Sequence, residues 1–329
     1  MKEMIKIMAP LNETCDLDNM FSLADEYYVG ASDDEWFFNT NDYISYNTRG
    51  YRNSDTCFHR KKLAEVLKKA SANGKKVFLT ANTHNIDKEK LPVVKQIIRE
   101  FAKNGGSGVI CSELNCLSYA KEEGIEAVLS TNMAVYNLKS LDYLCKHYEV
   151  DRLILSRDMT MDEIKEFRKS TDLELEVFGL NFGCRFSNGH CTGTHNHRTG
   201  GFCSAIGDMI WEYTGINGER LNEKMIFSAK INHHIFMEYF MRTACGLCAL
   251  YTLNEAGINS FKIVGRELDG KRIEKDTRLV NRCRDLIKEC SDREEFSKKI
   301  EPLIKEHGIE NCLCGFGCYY PEERGELIF

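Results

Sequence analysis

A chain of 329 residues fits one large α/β domain or two ordinary ones, and 43% hydrophobic with 29% charged residues is the composition of a soluble globular enzyme. A net charge of −6 gives no global attraction for nucleic acid, which argues against RNA as a partner and leaves only a local basic groove open; four prolines exclude long proline-rich linkers. The opening MKEMIKIMAP lacks the apolar core and cleavage site of a signal peptide, and no run reaches the roughly 18 apolar residues of a membrane span, so a cytoplasmic protein is expected.

Short apolar runs recur along the chain at Ile5–Met8, Tyr27–Gly30, Val77–Thr80, Val109–Cys111, Ala127–Ser130, Leu153–Ser156 and Leu175–Val177, with an eighth at Phe261–Val264. Each suits a strand buried on both faces of a parallel sheet. Helical patterns lie between them. In Lys61–Asn73, Leu63, Val66, Leu67 and Ala70 follow helical spacing; Thr160 with Glu163 makes a capping box before Ile164 and Phe167; Gly74, Gly105 and Gly124 stand where helices should stop.

Eight strands alternating with helices predict a (β/α)8 TIM-like barrel over 1–292, followed by a C-terminal helix near Arg293–His307 and a cysteine-bearing tail, together 293–329. The competing architecture is an open doubly wound sheet, but no G-x-G-x-x-G turn follows the first strand. In a barrel, catalytic groups gather at strand C-terminal ends. Those ends carry Asn12 and Glu13, Asn82 and His84, Ser112 and Glu113, Thr131 and Asn132, Arg157 and Asp158, Cys184, and Arg266. Polar loops are common in any α/β protein, so each alone is weak.

Between the seventh and eighth strands lies an interval of roughly 80 residues, about 181–260, far beyond an ordinary βα loop. It holds Cys184, Cys191, Cys203, Cys245 and Cys248. Fifteen cysteines in a chain with no export signal point to metal or redox chemistry rather than disulfides. Thiolates select zinc, copper(I) or iron–sulfur clusters, and the wide, irregular spacing suits a 4Fe-4S cluster better than the paired knuckles of a zinc ribbon. The plain alternative is buried, unpaired thiols, the reading given to Cys15, Cys57, Cys111, Cys116 and Cys145. His190, His195 and His197 are alternative ligands. Cys312, Cys314 and Cys318 close the chain and form a candidate second metal site or a redox pair.

The segment LEVFGLNFGCRFSNGHC resembles the signature of peptidase family U32, the collagenase-like peptidases, at Glu176, Cys184, Gly189 and Cys191. HRTGGFC, ending at Cys203, is similar to that family's N-R-G-x-C. CGLCALYTLNEAGINSFKIVGR is similar to its D-L-C, helix and A-G-V-x-S-F-K-I-E-G-R, with Cys245, Lys262, Gly265 and Arg266 on the matching positions. ADEYYVG, LSTNM and RLILSRDM extend the resemblance over most of the chain, to about Cys290.

The family name implies a peptidase, yet no H-E-x-x-H or G-x-S-x-G is present. The resemblance instead implies iron–sulfur proteins that install hydroxyl groups without oxygen, on RNA bases or on the ubiquinone ring, with prephenate the implied donor for several. On that basis Cys184, Cys191, Cys203 and Cys245 are the expected cluster ligands, and Glu176, Lys262 and Arg266 the expected catalytic residues. An oxygen-independent hydroxylase of a small or aromatic substrate, served by an electron-transfer partner, is the leading expectation; a peptidase and an RNA-base hydroxylase are the alternatives. A homo- or hetero-oligomer is compatible with the sequence. The chain departs from the family pattern at Leu180, where a histidine is expected, at Ser204–Gly207, which lack a second cysteine, and at Val264 in place of glutamate. The resemblance thus carries the cluster, and leaves substrate and donor open.

Overall fold

Every one of the eight apolar runs becomes a stave of one closed, all-parallel barrel. The computed structural model describes residues 3–32, 46–47, 56–84, 86–184, 189, 224, 244–309 and 317–324. The staves are β1 (Lys6–Pro10), β2 (Glu26–Val29), β5 (Lys76–Ala81), β6 (Gly108–Cys111), β7 (Glu126–Leu129), β8 (Arg152–Ile154), β9 (Glu174–Leu180) and β10 (Ser260–Ile263). Around the barrel they run β1-β10-β9-β8-β7-β6-β5-β2 and close on β1. Residues of β2 and β6 are buried throughout, because one face fills the barrel and the other lies under helices.

The helices form where the apolar spacing places them. α2 (Arg60–Ala72) buries Leu63, Val66, Leu67 and Ala70. α6 (Met161–Ser170) starts from the full capping box, Thr160 and Glu163 each bonding the other's backbone. α3 (Leu91–Lys103), α4 (Leu114–Glu122), α5 (Leu138–His147), α7 (Leu250–Ala256) and α8 (Gly270–Leu286) complete the ring, with the single-turn α1 (Leu17–Met20) after β1. The barrel's own α7 therefore occupies the last part of the long interval between β9 and β10.

Two features lie outside the sequence expectation. A miniature parallel pair, β3 (Ala31–Ser32) with β4 (Phe58–His59), extends the end of β2 through the bond from Phe58 N–H to the Gly30 carbonyl (3.0 Å). Two-residue strands carry too short a pattern to read. The C-terminal helix α9 (Arg293–His307) also shares the barrel's core. Its Phe296, Ile300 and Ile304 are buried in one apolar cluster with the staves, as are Tyr319 and Tyr320 of the tail.

Candidate active site

Arg266 sits three residues beyond β10, at the mouth of the barrel. Asn12, at the end of β1, donates to the carbonyls of Arg266 (2.8 Å) and Leu268 (2.7 Å) and so pins this loop. The Arg266 side chain is 4% exposed and donates to Thr80 Oγ1 on β5 and to Asn47 Oδ1 (2.8 Å). Its Nε is buried with no hydrogen-bond partner among the described residues. Thr80 in turn donates to the Val29 carbonyl (2.9 Å), which ties three strand ends together. Gly30 makes this packing feasible: a Cβ there would stand 2.5 Å from Cys57 Sγ and 2.8 Å from both Arg266 Cζ and Asn47 Nδ2.

The cysteine side of the mouth is built by β9 and the tail. β9 ends at Leu180, and Asn181 (φ 64°) and Phe182 (φ 48°) then turn through left-handed backbone to bring up Cys184. Asn181 Nδ2 donates to buried Asp276 (2.8 Å), which also binds His307 Nε2 (2.6 Å) and helps hold the strained turn. Cys245 is fully buried and its backbone bridges Leu180 on one side and Cys318 on the other. The Tyr319 N–H donates to the Cys245 carbonyl (2.9 Å), and Tyr319 lines the cleft with Cys184. Burial pushes its hydroxyl up to about 12; the Arg157 guanidinium, which hydrogen-bonds it, opposes that rise, and Cys184 and Cys245 add to it. The hydroxyl donates to the Asn181 carbonyl (2.5 Å). Arg157 stacks on Phe178, 3.7 Å from the ring centre, and its Nε has no hydrogen-bond partner among the described residues. A cleft of about 290 Å³ opens here, lined by Arg157, Thr160, Cys184, Cys318, Tyr319 and Glu322, among others.

Glu176 and Lys262 lie deeper. They are the third residues of β9 and β10, inside the barrel, and their side chains meet at 2.6 Å. Lys262 also sits 4.4 Å from the Tyr28 ring centre. Burial pushes the Lys262 ammonium below its ordinary pKa, and Glu176 partly restores it. Below them Arg152 bonds Glu176 (3.1 Å), Glu26 (2.7 Å) and Glu174 (2.5 Å), and Lys6 bonds Glu174 (2.8 Å). Lys262 and Glu176 thus form the upper end of an ionic column rising from the N-terminal end of the barrel.

Among the sequence-derived ligands, Cys184 lines the cleft with Tyr319 and the Cys245 carbonyl accepts from the Tyr319 N–H, whereas Cys191 and Cys203 lie outside the described residues, as do His190, His195, His197, Cys312 and Cys314. Within the described residues no group of three or more metal-ligating side chains occurs. Cys248 is half-buried on the single turn Leu247–Ala249 that leads into α7. Of the thiols read as isolated and buried, Cys57, Cys111 and Cys116 are buried, Cys15 is half-buried and Cys145 is exposed, being in the last turn of α5. Asn82, Ser112 and Asn132 serve one another: Ser112 Oγ and Asn132 Nδ2 both donate to the Asn82 carbonyl (3.2 and 2.8 Å). Sequence reading did not connect Asn47, Cys57 or Thr80 to Arg266. Thr80 ends an apolar run, a usable signal; Asn47 and Cys57 carry none.

A parallel barrel with polar and thiol groups gathered at its C-terminal mouth defines an α/β-barrel protein with its site above the strands. The chain belongs to peptidase family U32, whose model matches residues 21–326. It is 26% identical over 314 residues to an uncharacterised protease of Methanocaldococcus jannaschii, covering 91% of this chain and 70% of that one. It is 24% identical over 258 residues to tRNA hydroxylation protein P1 of Bacillus subtilis, covering 75% and 58% respectively. Against a 23S rRNA 5-hydroxycytidine synthase of Escherichia coli it is 27% identical over 215 residues, covering 64% of this chain and 30% of that protein. The chain therefore spans well under two thirds of these two hydroxylation proteins. No described helix is long and apolar enough to cross a membrane.

Proposed function

We propose that this chain is an iron–sulfur-dependent hydroxylase, its 4Fe-4S cluster held by Cys184, Cys191, Cys203 and Cys245. The observation that carries the reading is that Cys184 lines the mouth cleft beside Tyr319, whose N–H donates to the carbonyl of buried Cys245 (2.9 Å). Cysteines brought from two distant segments to one residue fit a soft-ligand site as far as the described residues reach. Cys245, buried at that junction, fits the fourth position better than the half-buried Cys248. The cluster would supply electron transfer and Lewis acidity to the reaction.

The chain's own groups define what binds beside it. Arg266 is a fixed cation bonded to neutral partners, and its free Nε favours an anionic or carbonyl oxygen. Arg157 presents a guanidinium already stacked on Phe178, and Tyr319 offers a buried hydroxyl that stays protonated at neutral pH. Such a set suits a flat, electron-rich ring carrying oxygen substituents, as a small aromatic molecule. A nucleobase within RNA is the second reading, favoured by the relatives named for tRNA and rRNA hydroxylation.

Protein purified without oxygen is expected to carry about four irons and four sulfides per chain. Cys184→Ala or Cys245→Ala should lose both, and Cys248→Ala should keep them. Stoichiometric zinc without iron would overturn the cluster. Anaerobic incubation with tRNA and rRNA followed by nucleoside mass spectrometry separates the substrates: a hydroxylated pyrimidine selects RNA, turnover of a small aromatic alone selects the first reading. Cleavage of casein or gelatin by the same protein would select the peptidase.

A further inference from the structure

α8 follows β10 and packs against β1 through a buried face of Ile273, Thr277, Leu279, Val280 and Cys283. On the opposite face, at intervals of four, three and four residues, stand Lys271, Lys275, Arg278 and Arg282, all exposed. That spacing keeps them on one line roughly 16 Å long, with neighbours about 4.5–6 Å apart along the axis. Lys271 and Arg282 have no ion pair among the described residues, and Lys275 donates to the His307 carbonyl (3.1 Å). Of the helix's own carboxylates, Glu274 is held by Arg278 (2.7 Å), Asp276 is buried against Arg272 and His307, and Asp285 lies beyond Arg282. α9 is built the other way: Lys298, Lys299 and Lys305 pair with Glu294, Glu295 and Glu301 one turn away, so its solvated face neutralises itself. In α8 basic residues outnumber acidic ones, in a chain whose net charge is −6. The line starts at the rim of the mouth. Asp269 caps α8 through the Lys271 N–H (3.0 Å), Gly270 N–H donates to Thr14 Oγ1 of the loop after β1 (2.8 Å), and Asn12 of that loop holds the Arg266 and Leu268 carbonyls. Arg266 and Lys271 thus belong to one braced segment.

We propose that the line Lys271, Lys275, Arg278 and Arg282 is a docking track for the phosphodiester backbone of RNA, laid so that one nucleotide of the docked strand reaches the mouth. The assignment rests on the RNA reading of the mouth and deepens it. A straight row of single positive charges fits a linear polyanion, which is itself a row of single negative charges; an acidic protein would present a patch with breadth as well as length. Lysine and arginine on a solvated helix face contact phosphates and read no bases, so the track supplies affinity and register while the mouth selects the nucleotide. The chain's acidic balance opposes binding elsewhere on the surface, which confines docking to this local run of cations. Docking on α8 needs neither the cluster nor turnover, so it is measured apart from the chemistry.

The test uses the full chain, purified anaerobically and titrated into a short fluorescein-labelled single-stranded RNA of mixed sequence over a range of salt concentrations, with anisotropy as the readout. Four phosphate contacts predict that log Kd rises with log salt at a slope of about 3. Lys275→Gln with Arg282→Gln should cut that slope by about half and weaken binding about tenfold. Lys298→Gln with Lys305→Gln removes the same charge from α9 and should leave both values as in the parent. In the wild-type protein, bound RNA should protect Lys271 and Lys275 from acetylation, mapped by mass spectrometry, while Lys298 stays reactive; this readout stands should a variant fail to fold. Equal weakening by the two double variants would mean binding by net charge alone and would overturn the track, as would a failure to bind RNA or full acetylation of Lys271 and Lys275 in the complex. Tighter binding of polyglutamate than of RNA would assign the line to an acidic protein and overturn it as well. A hydroxylated nucleoside made by an α8 variant that binds RNA as tightly as the parent would sink the track and keep the RNA reading. Track-dependent binding with no modified nucleoside would keep the docking and remove that reading.

Discussion

At the N-terminal end of the barrel, Arg152 has no solvent exposure and is clasped by Glu26, Glu174 and Glu176. At the mouth, Arg266 is buried almost as deeply, yet its partners among the described residues are the hydroxyl of Thr80 and the amide of Asn47. The first guanidinium is neutralised inside the protein. The second keeps its charge, with Nε still to be satisfied. Burying a cation beside neutral donors and acceptors is costly unless an anionic or carbonyl oxygen arrives. Similar burial thus has two outcomes: a closed ionic column among the staves, and a cation at the mouth whose described partners are all neutral.

The sharpest break in this comparison is Arg152→Met. Three carboxylates would lose their common cation, and stability should fall by about 3–5 kcal/mol in urea denaturation. A loss below about 1 kcal/mol would mean that the column contributes little. Adding Glu176→Gln to that variant should recover part of the loss.

Arg266→Lys should leave folding and iron content intact while turnover drops by about 100-fold, since an ammonium cannot reach Thr80, Asn47 and a ligand in one plane. Undiminished turnover would make Arg266 a loop anchor only.

Gly30→Ala probes the mouth without altering any polar side chain. Its Cβ would collide with Cys57 and the Arg266 guanidinium, costing about 1–3 kcal/mol and lowering turnover. Adding Cys57→Ala removes the nearer clash and should restore stability more than turnover.

The smallest effect is expected of Glu174→Gln. Burial raises the Glu174 carboxyl, but the charge of Arg152 and the bond from Lys6 outweigh it and hold the pKa below the ordinary value. A carboxylate so depressed stabilises the fold above its unfolded pKa of about 4.3 and loses that contribution as pH falls through the lower folded value. The variant should lose under about 1 kcal/mol at neutral pH, discounted for partial exposure, and its melting temperature should fall less steeply between about pH 5 and pH 3. Parallel curves for variant and parent would remove Glu174 from the linkage.

The staves were legible because a strand buried on both faces leaves an uninterrupted apolar run, and all eight are found within a few residues of where those runs fall. The capping box at Thr160 and Glu163 was equally plain, since its two bonds join residues three apart. Arg266 could be placed at the end of β10 from the same pattern. What surrounds it could not: Asn47, Cys57 and Thr80 reach it across as many as 219 residues of chain. Glu176 and Lys262 show the converse. Their positions on strands were readable, but their pairing with each other and with the Arg152 column depends on which strands are neighbours and in what register.

The cysteines divide in the same way. Spacing marked Cys184, Cys245 and Cys248 as metal-ligating or redox-active, and left open which of the last two belongs with the first. The fold places them differently: Cys245 is buried on a bridge between Leu180 and Cys318, and Cys248 is half-buried on the turn leading into α7. The sequence by itself determined the barrel and the residue types at its mouth, because both follow from local periodicity and composition. The tertiary structure decided which charges are neutralised by opposite charges and which are met only by neutral groups, because those depend on contacts between segments far apart in the chain.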